Sequence, residues 1–128
     1  MNDVVEGSEA DEDRRTFGPS STNKEILESL VSKGYFKTAI GAFQASAMLA
    51  VRLGLDPEQA PPSAGTVWNR GSVNAQVLEF LSWYLPTNTP VKALEQYGNL
   101  GVAHIADKVT AEGYPLSEIL ELESIELE

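Results

Sequence analysis

His104 and Asp107 stand three residues apart in a stretch of helical periodicity, a spacing that lets a carboxylate orient an imidazole as a general base. No nucleophile accompanies them at a telling spacing, and a histidine satisfied in or beside the core carries the same signature. Arg14-Arg15-Thr16 is the second cluster, two guanidiniums and a hydroxyl able to contact phosphates or base edges. Trp68, Phe80, Trp83 and Tyr84 have ring faces that stack on bases, but no Lys or Arg is interleaved from Phe80 to Tyr84 and Arg70 alone stands between Trp68 and Phe80, so they read as core. Gly98-Asn99-Leu100-Gly101 is no phosphate loop, because it lies inside a helical pattern with no strand before it and no Lys after it. Two glycines inside a helix point instead to close packing of another backbone. Paired carboxylates occur only in the terminal segments, which hold no fixed catalytic separation.

The 128 residues include no cysteine and one histidine. That excludes a disulfide scaffold, a thiol nucleophile, cysteine-based zinc or iron–sulfur sites and multi-histidine metal sites. The expectation is a protein with no metal, no cofactor and no catalytic activity. No run approaches the ~18 apolar residues of a membrane span, and the acidic N-terminus is unlike a signal or transit peptide. A soluble, cytoplasmic protein with no membrane partner and no evident small-molecule substrate is expected.

The net charge of −10 is unevenly placed. Residues 1–13 carry six acids (Asp3, Glu6, Glu9, Asp11, Glu12 and Asp13) and no base. Residues 118–128 carry five glutamates and no base, so the body between is close to neutral. Such segments either solvate the chain or compete with phosphate for a basic surface. The organisation read from this is an acidic, disordered arm at 1–13, a helical domain at 14–115 and an acidic amphipathic segment at 116–128.

The elements that must carry these residues are mainly helical. Arg14 to Phe17 forms a short strand, stopped at Gly18-Pro19. Thr22 and Glu25 have capping-box spacing, and Ile26, Leu27, Leu30 and Val31 make one apolar stripe ended by Gly34. Phe36 returns to the core. Thr38 caps a second helix to about Leu53, with Gly54 beyond it, and this helix is apolar on nearly every face. A proline-rich loop runs from Leu55 to Gly65, followed by a brief extended piece at Thr66-Val67-Trp68. Ser72 caps a third helix, with Val73, Val77, Leu78, Leu81 and Tyr84 on one face. Thr89 caps a fourth, with Pro90 in its first position and Val91, Leu94, Gly98, Val102, Ile105 and Val109 on one face. The fold class is mainly α, a single domain of about four helices with a short N-terminal strand.

Two resemblances follow from these segments. Leu27 to Val31, Gly34 to Thr38 and Ala42-Phe43 look like the two helices of a ribbon-helix-helix regulator or antitoxin. That resemblance implies a strand, here Arg14 to Phe17, that pairs with its copy in a dimer and enters the DNA major groove. Arg14, Arg15 and Thr16 would then be its DNA-binding residues. Gly18-Pro19, Gly41 and Gln44 depart from that pattern. Across residues 22–109, Phe36-Lys37-Thr38, the alanine-rich helix ending at Gly54, Val67-Trp68 and Tyr97 to Val102 occur in the order seen in a second family. They resemble the small accessory proteins of Dnd-type DNA phosphorothioation and phage-defence systems. This implies a non-catalytic accessory role through protein or DNA contact. The alternatives are a ribbon-helix-helix transcription regulator or antitoxin and an acidic DNA-mimic decoy.

Two surfaces are expected to meet a partner. A small domain covers only part of an all-apolar helix such as Thr38 to Leu53, so a homodimer, or failing that a hetero-complex, is expected. Residues 116–128 place Leu116, Ile119, Leu120, Leu122, Ile125 and Leu127 among five glutamates. That segment either closes the core beside the fourth helix or docks on a partner, and its spacing fits helix and strand alike.

Overall fold

The structure is a computed structural model and describes residues 13–85 and 87–112. Four helices form where the apolar spacing predicts them: α1 (Ser21–Ser32), α2 (Ala39–Leu53), α3 (Ala75–Tyr84) and α4 (Pro90–Glu112). A two-stranded antiparallel sheet joins β1 (Thr16–Phe17) to β2 (Trp68–Asn69), with Thr16 opposite Asn69 and Phe17 opposite Trp68. The mainly helical fold is as expected. β1 finds its partner within the same chain, however, rather than as the intermolecular ribbon that the ribbon-helix-helix resemblance implies.

Most helix ends follow local chemistry, with shifts at two starts. Ser20, not Thr22, caps α1, its hydroxyl accepting from the Asn23 N–H at 3.1 Å. The capping-box reading misses this because the Ser20 N–H and the Asn23 side chain are both bonded to the distant Asn99, and the helix starts two residues earlier with the same stripe buried. Asn74 rather than Ser72 caps α3, since Arg70–Ser72 is taken up by a short 3-10 turn. Thr38 caps α2 as expected, and Gly54 ends it at φ 69°. Gly34 follows α1 at φ 85°, its N–H bonded to Val31 O at 3.0 Å while Tyr35 N–H reaches Leu30 O at 3.0 Å. That pair of bonds satisfies the carbonyls a helix end leaves over.

At the start of α4, Thr89 supplies the carbonyl for the Ala93 N–H at 3.1 Å. Its hydroxyl is paired with Thr87 instead of capping the helix. The cap comes from far along the chain, the Asp13 carboxylate accepting from Val91 N–H at 2.6 Å and Lys92 N–H at 3.0 Å. Asp13 is thus part of the folded domain and not of a disordered arm. A negative charge on the exposed N–H groups of a helix start is a favourable placement.

The core lies between α2 and α4. Phe43 packs over Gly98 and Ser46 over Gly101, which is where the two helices approach most closely. A Cβ on Gly98 would stand 2.3 Å from the Phe43 ring, and one on Gly101 1.9 Å from the Ser46 carbonyl oxygen. Both glycines therefore permit a close helix–helix approach, as their place in the pattern suggests. Phe17, Phe43 and Trp68 form an aromatic cluster with ring centroids 5.1–5.9 Å apart. Leu27, Leu30, Leu81, Val91, Leu94, Val102 and Ile105 are among the other buried apolar side chains. Among the described residues, no helix is long and apolar enough to cross a membrane.

Candidate functional site

Glu95 and Asn99 lie one turn apart on α4, on the flank of its apolar stripe, and both are buried. The segment from Asp13 to Ser20 crosses them as a strap. Asn99 Oδ1 accepts from Ser20 N–H at 2.8 Å and from Asn23 Nδ2 at 2.9 Å. Its own Nδ2 donates to Glu95 O at 3.0 Å and Gly18 O at 3.3 Å. Asn23 Nδ2 also reaches the Asn99 carbonyl at 2.9 Å. The Glu95 carboxylate receives Gly18 N–H at 3.0 Å and the Arg14 guanidinium. Every polar atom of the Asn99 amide thus has a partner, and such a saturated network fixes one arrangement of the chain.

Beside this network lies a cleft of about 410 Å³, floored by Glu95, Gln96 and Asn99 and rimmed by Arg14 and the Pro57–Ser63 loop. Of its lining, Arg14, Glu95 and Asn99 are already engaged in holding the strap. Tyr97, on the same helix, has its phenol held above the ordinary value, first by burial and then by the nearby Asp56 carboxylate.

The three expected DNA-contacting residues part company. Arg14 turns to the buried Glu95, while Arg15 and Thr16 are exposed on the strand face. Arg15 also supplies the carbonyl that receives Arg70 N–H at 2.8 Å. Arg70 in turn pairs with Asp13 at 3.0 Å, closing the strap over the sheet. His104 is half-buried on α4, three residues before the exposed Asp107. Leu116, Ile119, Leu120, Leu122, Ile125 and Leu127 lie outside the described residues.

The aromatics also divide, against the expectation that they all belong to the core. Trp68 packs in the core cluster, but Trp83 is 79% exposed and Tyr84 53%. The cause is angular. Trp83 follows Leu81 by two residues, roughly 200° around the helix, so burying Leu81 turns Trp83 to solvent. Phe80 and Tyr84 stack with ring centroids 5.2 Å apart and planes 12° apart, forming a flat wall beside Trp83.

Sequence reasoning passed over Glu95 and Asn99 as bonding residues and Trp83 as a surface residue. The i, i+4 spacing of Glu95 and Asn99 on the edge of an apolar stripe was the available signal for the first pair. The phase of Trp83 relative to Leu81 was the signal for the second. Compared with known protein families, curated proteins and solved structures, the chain matches none of them.

Proposed function

We propose that this protein is a non-catalytic accessory component of a bacterial DNA-modification or phage-defence system and acts by non-covalent contact with another macromolecule. The observation that supports contact is the aromatic face of α3, where Trp83 is 79% exposed beside the stacked Phe80–Tyr84 pair. A large ring held in water by a folded scaffold is unfavourable unless something covers it, and aromatic residues dominate the energetics of interfaces. The system in which it works is the one implied by the resemblance of residues 22–109.

The test is genetic. In a host carrying such a system, deleting the gene lowers phosphorothioate content or phage restriction, the wild-type gene restores it, and Trp83→Ala fails to do so while accumulating to the same level. Unchanged modification and restriction after deletion would remove the accessory role. A second reading, direct DNA contact, draws on Arg15 and Thr16, both exposed, the first just before β1 and the second in it. It requires a gel shift at low salt that Arg15→Ala abolishes.

A further inference from the structure

We propose that Arg15, Arg70 and Lys92 form a contact surface for the phosphodiester backbone of nucleic acid, and that the acidic residues 1–12 compete with nucleic acid for it. The inference rests on the reading of Arg15 and Thr16 as DNA-contacting residues. To that reading it adds the rest of the surface and a means of regulating it.

The three cations are distant in sequence and are gathered around Asp13. The Asp13 carboxylate accepts from the Arg70 guanidinium at 3.0 Å and from the Lys92 N–H at 3.0 Å. The Arg70 N–H in turn donates to the Arg15 carbonyl at 2.8 Å. Arg15, Arg70 and Lys92 are all exposed, whereas the Asp13 side chain keeps only 7% of its surface in water. Among the described residues, the Arg15 and Lys92 side chains have no ion-pair partner. Three cations against one carboxylate leave two positive charges in excess at this place, on a chain of net charge −10. Arg14 adds nothing to that excess, because it is paired with Glu95.

The neighbouring groups suit phosphate. Thr16 and Asn69 stand opposite each other on β1 and β2, and both are exposed. A hydroxyl and an amide beside guanidiniums are donors that hold phosphate oxygens. The patch is polar throughout, where a protein interface has an apolar centre and a membrane surface takes up apolar side chains.

The competitor is joined to the patch. The chain enters the surface at Asp13, and residues 1–12 carry Asp3, Glu6, Glu9, Asp11 and Glu12 with no Lys or Arg. A tethered polyanion acts at an effective concentration in roughly the millimolar range, enough to oppose an attachment made by three cations. Asp13 itself displays the mimicry: its carboxylate sits on the N–H groups of a helix start beside a guanidinium, a place that suits a phosphate oxygen equally well.

The full-length chain is titrated onto a labelled duplex of about 20 base pairs, followed by fluorescence anisotropy in about 50 and 200 millimolar salt. The wild type is expected to bind weakly. A full-length variant with Asp3→Asn, Glu6→Gln, Glu9→Gln, Asp11→Asn and Glu12→Gln is expected to bind about tenfold more tightly at the lower salt, with the gap narrowing at the higher. Adding Arg15→Ala and Lys92→Ala to that variant is expected to weaken binding at least about tenfold and to reduce the salt slope by about 2, with unchanged helical content. Lys24→Ala with Lys33→Ala, which removes as much charge from the exposed side of α1, is expected to leave the affinity within about twofold. If the neutralised variant binds no more tightly than wild type while Arg15→Ala still abolishes binding, competition is overturned and the DNA-contact reading stands. If neither chain binds, the surface and that reading fall together. Equal losses from the Lys24–Lys33 pair overturn the surface in favour of attraction by net charge alone. Polyglutamate binding as tightly as the duplex overturns the nucleic-acid assignment in favour of an acidic protein.

Discussion

Gly101 shows how a single residue can reverse an intrinsic preference. In a free helix, Gly→Ala is favourable by roughly 1 kcal/mol. Here the added Cβ would stand 1.9 Å from the Ser46 carbonyl oxygen, and that oxygen belongs to a buried backbone that cannot turn aside. Gly101→Ala is therefore expected to force α2 and α4 apart and to cost about 3 kcal/mol or more, against the propensity gain. Urea unfolding followed by circular dichroism checks it. A variant as stable as wild type would mean that the helices do not meet this closely. At the same scale, the Asn99 amide matters for its saturation rather than its reactivity: two acceptances and two donations leave it nothing for a substrate.

At the scale of elements, the start of α4 is governed by a residue more than seventy positions away. Asp13 accepts from Val91 and Lys92 and pairs with Arg70, so one carboxylate joins a helix start, a strap and a sheet. Asp13→Ala is expected to cost about 1–2 kcal/mol, because it leaves two helix N–H groups without this acceptor and Arg70 without its partner. For a domain of this size that lowers the melting temperature by roughly 4–16 °C. The effect should exceed that of Thr89→Ala, since Thr89 gives α4 its carbonyl and not its hydroxyl. Equal losses for the two variants would contradict the cap assigned to Asp13.

Across the whole molecule, stability depends on the strap as well as on the helix pair. Phe17 is fully buried against Phe43 and Trp68, while Gly18 and Ser20 complete the network around Asn99 and Glu95. Removing residues 1–12 is expected to leave the unfolding midpoint nearly unchanged. Removing residues 1–19 empties the Phe17 site and strips partners from two buried polar side chains, for a loss of at least about 3–5 kcal/mol. Matched denaturant curves on the two truncations decide this. Equal stability of the two would show that the strap contributes nothing.

The helices, their order and most of their stops were legible in the sequence, because local rules govern them. Apolar spacing marks α1, α2 and α4, Gly34 and Gly54 mark two ends, Thr38 marks a start, and the Gly98–Gly101 pair marks a close crossing. These signals act over a turn or two and need no knowledge of the rest of the chain. Three features escaped that reading because they depend on residues distant in the chain: the capping of α4 by Asp13, the pairing of β1 with β2, and the binding of Asn23, Glu95 and the strap around Asn99. The exposure of Trp83 is of the same kind. Composition marks tryptophan as core, and only the burial of Leu81 against α4 fixes the rotation of α3 that turns Trp83 outward. Local propensity thus determined which segments are helical, while the tertiary packing decided which polar groups are spent inside and which aromatic side chains are left exposed.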